Sequence, residues 1–402
     1  MRGRSIYREG ESSYLLEYEQ KKIRDCARTL HNLAQAFEGE ERQYTEEKED
    51  RKNLIMKSRL RETRILMADH LKEVARIVTE AVREDIRVIR FGEKKERQLN
   101  RMLFMEGLAL EDICLVKKED HKQEIVVRIS QTSLSAKRKT CTSPELAEFL
   151  SILLDMRLQN SARNSFYITK EVQTYYFEEE CRYMVLTGFA KAVKENETIS
   201  GDNHAFFETE EKEFICLLSD GMGSGQKACE ESEEVIEKLE CLIESGFEKG
   251  KAIQVMNDTF LLEGEGRNMS TLDLCSINLY TGTAVFYKVG AVYSLIKRGS
   301  YVEKVPSISL PLGLFHEMEI GYKEKRLLEE DYIILFSDGV LEHFPKEEGE
   351  ESLKELVANI PYANPGQMAN YLMKHTIARG GGKIGDDMTI LVLGIWENKG
   401  GD

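Results

Sequence analysis

Two stretches of this chain end alike: Ile215-Cys-Leu-Leu-Ser-Asp-Gly221 and Ile333-Ile-Leu-Phe-Ser-Asp-Gly339 are apolar runs closed by Ser-Asp-Gly. Runs of this kind read as strands, and an Asp-Gly at the end reads as a turn at the sheet's rim. The chain must therefore bring at least two rigid strand ends, each carrying a carboxylate, to the edges of its sheets. Two further acidic turns share the theme, Ser200-Gly201-Asp202 and Gly385-Asp386-Asp387-Met388-Thr389.

One Asp-Gly alone is usually only a turn; four such motifs at strand ends can converge. Converging carboxylates repel, so a cluster of them needs cations, and all-oxygen ligation suits hard ions such as Mg²⁺ or Mn²⁺. The chemistry this points to is two-metal hydrolysis, in which paired ions activate a shared water for in-line attack on phosphorus and no protein nucleophile is needed. Gly221 lets the backbone approach an ion and expose its carbonyl, and Gly223 and Gly225 lead into a helix whose N-terminus can face anions. The rival reading of Gly-Met-Gly-Ser-Gly as a nucleotide-cradling loop fails on two counts. No Gly-Lys-Ser/Thr follows it, and the later Asp-Gly motif would be left without a role.

From about residue 172 the sequence predicts strands at 172–177, 183–192, 214–219, 272–279, 284–289, 293–297, 332–337 and 389–396, with helices at 226–245, 249–262, 350–360 and 365–379. That order suggests two sheets covered by helices. Upstream, Ile23, Ala27, Leu30, Ala34 and Phe37, and then Leu60, Met67, Leu71, Val74, Val78 and Ala81, keep helical spacing. They read as two helices or one broken helix, either paired within the monomer or offered to a partner. Between them and the strand-rich half, a helix to Leu110, strands at 112–117 and 124–129, a helix opening at Ser143-Pro144-Glu145 and a strand at 166–169 form a small α+β module. The expected division is a helical segment at 1–92, the α+β module at 93–175 and a catalytic domain at 176–398.

The charge of −15 is unevenly shared, because residues 1–97 are slightly basic and the remainder strongly acidic. An acidic surface argues against nucleic acid as a partner. The eight cysteines have no CxxC or paired CxxH spacing, so they signal neither a zinc site nor a disulfide framework. No apolar stretch approaches the length of a membrane span. As written, the chain is expected in the cytoplasm.

As an ordered set, SGD at 200–202, LLSDGMGSGQKACEES at 217–232, STLDLCSINLYTG at 270–282, KVGAVYSLIKRG at 288–299, LPLGL at 310–314, LFSDGV at 335–340 and GDDMTILVL at 385–393 resemble the PPM-type metal-dependent protein phosphatases, within them the stage II sporulation protein E family. The resemblance implies an αββα sandwich with two Mn²⁺ or Mg²⁺ ions at one edge. It implies that Asp220 bridges both ions, that Gly221 offers its carbonyl, that Asp338 and Asp386 complete the site and that Asp202 acts directly or through water. Asp220, Asp338 and Asp386 are the implied catalytic set, while Asp387 stands where relatives often carry asparagine. Met222 occupies the place of a histidine in many eukaryotic members, which leaves the proton donor unassigned.

The implied substrate is a phosphoserine on an anti-anti-sigma factor that controls a sporulation sigma factor. The helical spacing of the N-terminal segment offers a second copy as a partner, and the resemblance further implies cell-division proteins as partners and residues 226–262 as a switch. Family members usually begin with a multi-spanning membrane region, so membrane association stays open if this chain is part of a longer one. A scaffold without catalysis is the alternative, and the presence of every expected carboxylate favours the enzyme. Four candidates outside this set have two readings each: His204 as relay or surface residue, His343 as substrate contact or bystander, and Lys297 and Arg298 as phosphate ligands or a solvated turn. Thr271 and Asp273 read as supporting or packing residues.

Overall fold

The computed structural model describes residues 26–35, 51–82, 87–117, 123–132, 140–263, 270–307, 311–313, 320–344, 349–361 and 363–398. The chain divides into two compact units, one of residues 1–83, 185–278 and 283–396, the other of 84–184, 279–282 and 397–402.

In the first unit, helix α1 covers residues 26–35 and α2 covers Arg51–Val82. Their buried side chains are small and spaced by seven, Ala27 and Ala34 on α1 and Ala68 and Ala75 on α2, whereas Leu60 and Met67 are exposed. The predicted stripe is thus displaced by about one residue on α2. A periodicity weighted to large apolar residues misses a seam made of alanines, which lets neighbouring backbone come close. Ile23, Phe37 and the side chain of Ala81 lie outside the described residues.

The second unit is one antiparallel sheet with two helices. Its elements are β1 (Arg87–Arg90), α3 (Glu93–Met105), β2 (Leu108–Lys117), β3 (Gln123–Gln131), α4 (Ser143–Leu154), β4 (Leu158–Asn160) and β5 (Gln173–Glu179), in sheet order β1-β2-β3-β5-β4. Alternate residues of β3 (Ile125, Val127, Ile129) and β5 (Tyr175, Phe177) pack on Leu99 and Leu103 of α3 and Leu146 and Leu150 of α4. Helix α4 starts where Ser143-Pro144-Glu145 predicts, closed by a capping box between Thr142 and Glu145. Three expectations are corrected. Helix α3 stops at Met105 because Gly107 turns the chain at φ +81° into a strand that begins at Leu108. Residues 166–169 make only a single bridge, Thr142 to Tyr167. Strand β5, read with the C-terminal series, pairs with β3 in this sheet.

The rest of the first unit is two five-stranded sheets. One, in order β13-β10-β9-β8-β7, holds β7 (Asp202–Glu208), β8 (Glu213–Asp220), β9 (Leu272–Asn278), β10 (Thr283–Val289) and β13 (Tyr322–Arg326); the other, β12-β11-β14-β15-β6, holds β6 (Tyr183–Ala192), β11 (Ser294–Arg298), β12 (Tyr301–Val305), β14 (Asp331–Phe336) and β15 (Met388–Glu397). Helices α5 (Gln226–Glu244) and α6 (Lys249–Glu263) cover the first through Val235, Leu239, Ile253 and Met256 on Ile215, Leu217 and Leu274. The short α7 (Asp338–Leu341) with α8 (Gly349–Ala358) and α9 (Pro365–Arg379) covers the second through Val340, Leu353, Val357, Met368 and Leu372 on Ile334, Phe336 and Val392.

The alternate residues Cys216, Leu218, Cys275, Ile333, Leu335, Leu391 and Leu393 are also buried. They belong to neither helix-facing layer, so strands apolar on both faces place a third layer between the sheets. Five strands were not predicted, β1, which falls in the stretch read as helical, and β4, β7, β12 and β13, and all five are sheet edges. Edge strands can be polar, and β13 reads Tyr-Lys-Glu-Lys-Arg with all but Lys325 exposed.

Arg298 ends β11 with Nε 2.8 Å and Nη2 2.6 Å from the two carboxylate oxygens of Asp331, which is fully buried at the start of β14. Removing the guanidinium leaves a buried carboxylate held, among the described residues, by the Leu328 amide. Arg298→Ala is expected to cost about 3 kcal/mol in urea denaturation; a loss below about 1 kcal/mol would show that Asp331 finds water instead.

Candidate metal centre

Antiparallel pairing of β7 with β8 sets Asp202 directly opposite Asp220, so both side chains rise from the same face. In such a pair the Cβ atoms stand about 5 Å apart, and like charges there are destabilising. Asp202 is fully buried, and neither of its carboxylate oxygens has a hydrogen-bond partner among the described residues. Its pKa is pushed up to about 6 by burial, opposed by the hydroxyls of Thr389 and Ser337 and raised further by Asp387. Asp220 is pushed up to about 9, first by burial and then by the charges of Asp202 and Asp338.

Asp338 arrives from the other sheet. Strand β14 ends at Phe336, opposite Ile390 of β15, and the backbone of Ser337 donates to Thr389 O at 3.1 Å while Thr389 N donates to Ser337 Oγ at 2.9 Å. This lacing puts the first turn of α7 against the segment before β15, where a Cβ on Gly339 would sit 2.2 Å from Asp387 O. Only glycine fits there. Gly221 is confined in the same way, because its Cβ would meet Ala228 O in the first turn of α5 at 2.1 Å. Beneath them Thr271 braces Asp220, its Oγ1 accepting from Asp220 N at 3.2 Å and its N donating to Asp220 O at 3.0 Å.

The adjacent aspartates differ. Asp387 is buried and accepts Lys194 N at 2.9 Å on Oδ1 and Gly201 N at 2.8 Å on Oδ2, so it clamps both ends of the loop that delivers Asp202. Asp386 is partly exposed, with Oδ1 3.3 Å from Lys194 Nζ and accepting Asp387 N at 3.0 Å. Lys191 donates to the backbone carbonyl of Asp202.

A narrow cleft opens beside Asp220 and Asp338 and reaches Asp273. At its floor the buried Lys288 ammonium donates to Asp273 Oδ2 at 2.5 Å, Ser294 Oγ at 2.7 Å and Val292 O at 2.9 Å. Lys191, Lys194, Ser337, Thr389 and Lys288 escaped the sequence reading. Ser337 and Thr389 adjoin predicted aspartates, which was signal enough; Lys288 sits inside an apolar strand and gave none.

The remaining candidates have structural roles. His204 is on β7 with its ring centroid 4.8 Å from that of Phe189 and 5.4 Å from that of Phe206, in an aromatic row, and burial lowers its pKa. Lys297 reaches Ala358 O at 3.1 Å and Gly299 O, tying β11 to the end of α8, so neither it nor Arg298 is a free phosphate ligand or a solvated turn. His343 contacts two backbone carbonyls.

Residues 210–396 match the family model described as stage II sporulation protein E (SpoIIE). The chain is 30% identical over 348 residues to the Stage II sporulation protein E of Bacillus subtilis (strain 168), covering 86% of this chain and 41% of that protein. Over residues 210–396 the chain is thus similar to the SpoIIE family. The Priestia megaterium protein of the same name is 28% identical over 355 residues, covering 86% of this chain and 59% of that one, so the chain spans less than two thirds of either relative. The solved PP2C phosphatase domain of SpoIIE from Bacillus subtilis, with a fragment of its regulatory domain, aligns with TM-score 0.63 at 27% identity, over 87% of this chain and 97% of that chain. That structure and this one share the mixed sheet-and-helix sandwich. No helix among the described residues is long and apolar enough to cross a membrane.

The donor set suits a hard cation: clustered oxygens, one carboxylate wholly desolvated without a partner, and no competing thiol or imidazole in the set. Among the described residues no three such side chains close into a ready cage; bare carboxylates without a cation between them repel. Asp202 and Asp220 hold their protons more tightly folded than unfolded, where the ordinary value is 3.8. Their contribution to stability is therefore fullest in acid and falls as pH rises through about 6 and about 9. Asp220→Asn is expected to stabilise the metal-free protein at pH 8 and to flatten its melting temperature between pH 5 and pH 9. A variant less stable than the parent at pH 8 would contradict the placement of Asp220 among like charges.

Proposed function

We propose that this chain is a metal-dependent phosphatase that hydrolyses phosphoserine on a regulatory protein. The observation that carries the reading is the facing pair of fully buried Asp202 and half-buried Asp220, with Asp338 close by. Such a pair is tolerable at neutral pH only with cations between its members. Asp202, Asp220, Asp338 and Asp386, with the carbonyl of Gly221, hold two Mn²⁺ or Mg²⁺ ions in this reading, and Asp387 adds what its backbone clamp leaves free. Bound there, the ions supply Lewis acidity and a water of lowered pKa for attack on phosphorus.

The chain's own residues do the rest. Thr271 and the Ser337–Thr389 pair fix the backbone beside Asp220 and Asp338, Asp387 fixes the approach of Asp202, and Lys194, beside Asp386, offers a cation to an anionic substrate. Met222, exposed in the turn before α5, cannot donate a proton, so the leaving serine takes its proton from elsewhere, such as solvent at the open mouth.

Similarity to the SpoIIE family supports an anti-anti-sigma factor as the phosphoprotein and a sporulation sigma factor as the system controlled, with cell-division proteins as further partners. A second copy is the proposed partner of the N-terminal helices, supported by exposed Leu33 on α1 and Leu60, Ile65 and Met67 on α2. The approach of His70 Nε2 on α2 to 3.5 Å from the buried carboxylate of Asp258 on α6 supports the reading of residues 226–262 as a switch under those helices.

Phosphate release from a phosphoserine form of an anti-anti-sigma protein is expected to require Mn²⁺ or Mg²⁺. Asp220→Asn and Asp338→Asn should each lower kcat by at least about 100-fold. A folded parent chain that binds the phosphoprotein yet releases no phosphate with any divalent cation would favour the scaffold reading instead.

A further inference from the structure

Two of the carboxylates sit on elements with little stability of their own. Asp338 opens α7, a helix of four residues, too short to be stable alone. Asp386 follows Gly380-Gly381-Gly382, where Gly381 and Gly382 take φ +68° and +84°, and glycine gives up the most freedom when fixed. The segment is anchored at its far end by Asp387 and by Glu195 N donating to Ile384 O at 3.0 Å. Its near end is tied back to α9 by Gly381 N donating to Ala378 O at 3.1 Å and Gly382 N to Ile377 O at 2.9 Å, and the carbonyl of Lys383 beyond it meets a ring: His343 stands with Nδ1 3.1 Å from Gly339 O and Nε2 3.1 Å from Lys383 O.

We propose that His343 is a positioning residue that links the backbone beside Asp338 to the backbone leading to Asp386 and so sets the spacing of these two carboxylates. The ring is the only described side chain shown to bridge Gly339 and Lys383, and it has nitrogens facing opposite ways at equal distances. A neutral imidazole donates to one of the two carbonyls and a doubly protonated one to both. The seat is fitted to it, because a Cβ on Gly380 would lie 2.1 Å from His343 Cδ2 and 2.5 Å from Nε2. Gly380 itself has φ −74°, which alanine adopts freely, so glycine is needed there for the ring and not for the backbone. The inference rests on the metal reading above and extends it to a residue outside the acidic motifs.

The test is calorimetric titration of Mn²⁺ into the parent chain, His343→Ala, His343→Gln, Gly380→Ala and the double variant His343→Ala/Gly380→Ala, with the melting temperature of each metal-free protein alongside. His343→Ala is expected to weaken Mn²⁺ binding by roughly tenfold or more, as outer supports of metal ligands do, with the metal-free melting temperature unchanged. His343→Gln, which keeps one donor, should fall between. Gly380→Ala, by pushing the ring aside, should match His343→Ala, and the double variant should be no weaker than either single one.

Unchanged Mn²⁺ affinity in folded His343→Ala would overturn the inference, as would losses that add in the double variant. If His343→Ala did not fold, Gly380→Ala and His343→Gln would decide in the same way. Failure of the parent chain to bind Mn²⁺ would overturn the metal reading and this inference together; parent binding with unmoved variants overturns this inference alone.

Discussion

Two carboxylates, Asp202 and Asp220, face each other across a β-ladder at the rim of a sheet, in a place where water does not reach one of them. In solvent such a pair would cost little; with burial it becomes the largest unfavourable electrostatic arrangement at the site. Everything around it resists relaxation. Thr271 holds the backbone of Asp220 from β9, the first turn of α5 rests on Gly221, and Ser232 Oγ donates to Gly201 O from the same helix. The pair persists because the surrounding sheet and helix packing overdetermines it, which is how strained functional sites are generally maintained.

The second sheet contributes through its register. Pairing of Phe336 with Ile390 brings the end of β14 beside the start of β15, and the Ser337–Thr389 lacing ties the residue before Asp338 to the start of β15. The centre is therefore assembled from the rims of both sheets and depends on the packed layer between them. Asp273 and Lys288, paired at the floor of the cleft, show that this layer is not wholly apolar. Their carboxylate and ammonium are nearly inaccessible, and a buried pair of this kind is retained for the geometry it specifies more than for net stability.

Much of this was legible in the sequence, and the exceptions have physical causes. Central strands β8, β14 and β15 announce themselves because both faces are buried, so their residues are apolar without interruption. Edge strands β7, β12 and β13 did not, since one of their sides is free of the ladder and tolerates charge. On α2, the buried alanines Ala68 and Ala75 were overlooked in favour of Leu60 and Met67, which face outward. At the centre, all of the aspartates could be named from their Asp-Gly and Asp-Asp contexts. Their division of labour could not, because whether a carboxylate oxygen meets a backbone amide, as in Asp387, or nothing, as in Asp202, is decided by loop geometry that no spacing encodes. Lysines that support the site, Lys191 and Lys194, were likewise hidden among ordinary surface charges.

The most direct test of the metal-centred account is anomalous diffraction at the manganese edge from crystals of this chain soaked in Mn²⁺. The account predicts two peaks about 3.5 to 4 Å apart, both in contact with the carboxylate of Asp220 and flanked by Asp202 and Asp338. Well-diffracting crystals with no peak at Asp220, or with manganese bound only at surface carboxylates, would contradict it.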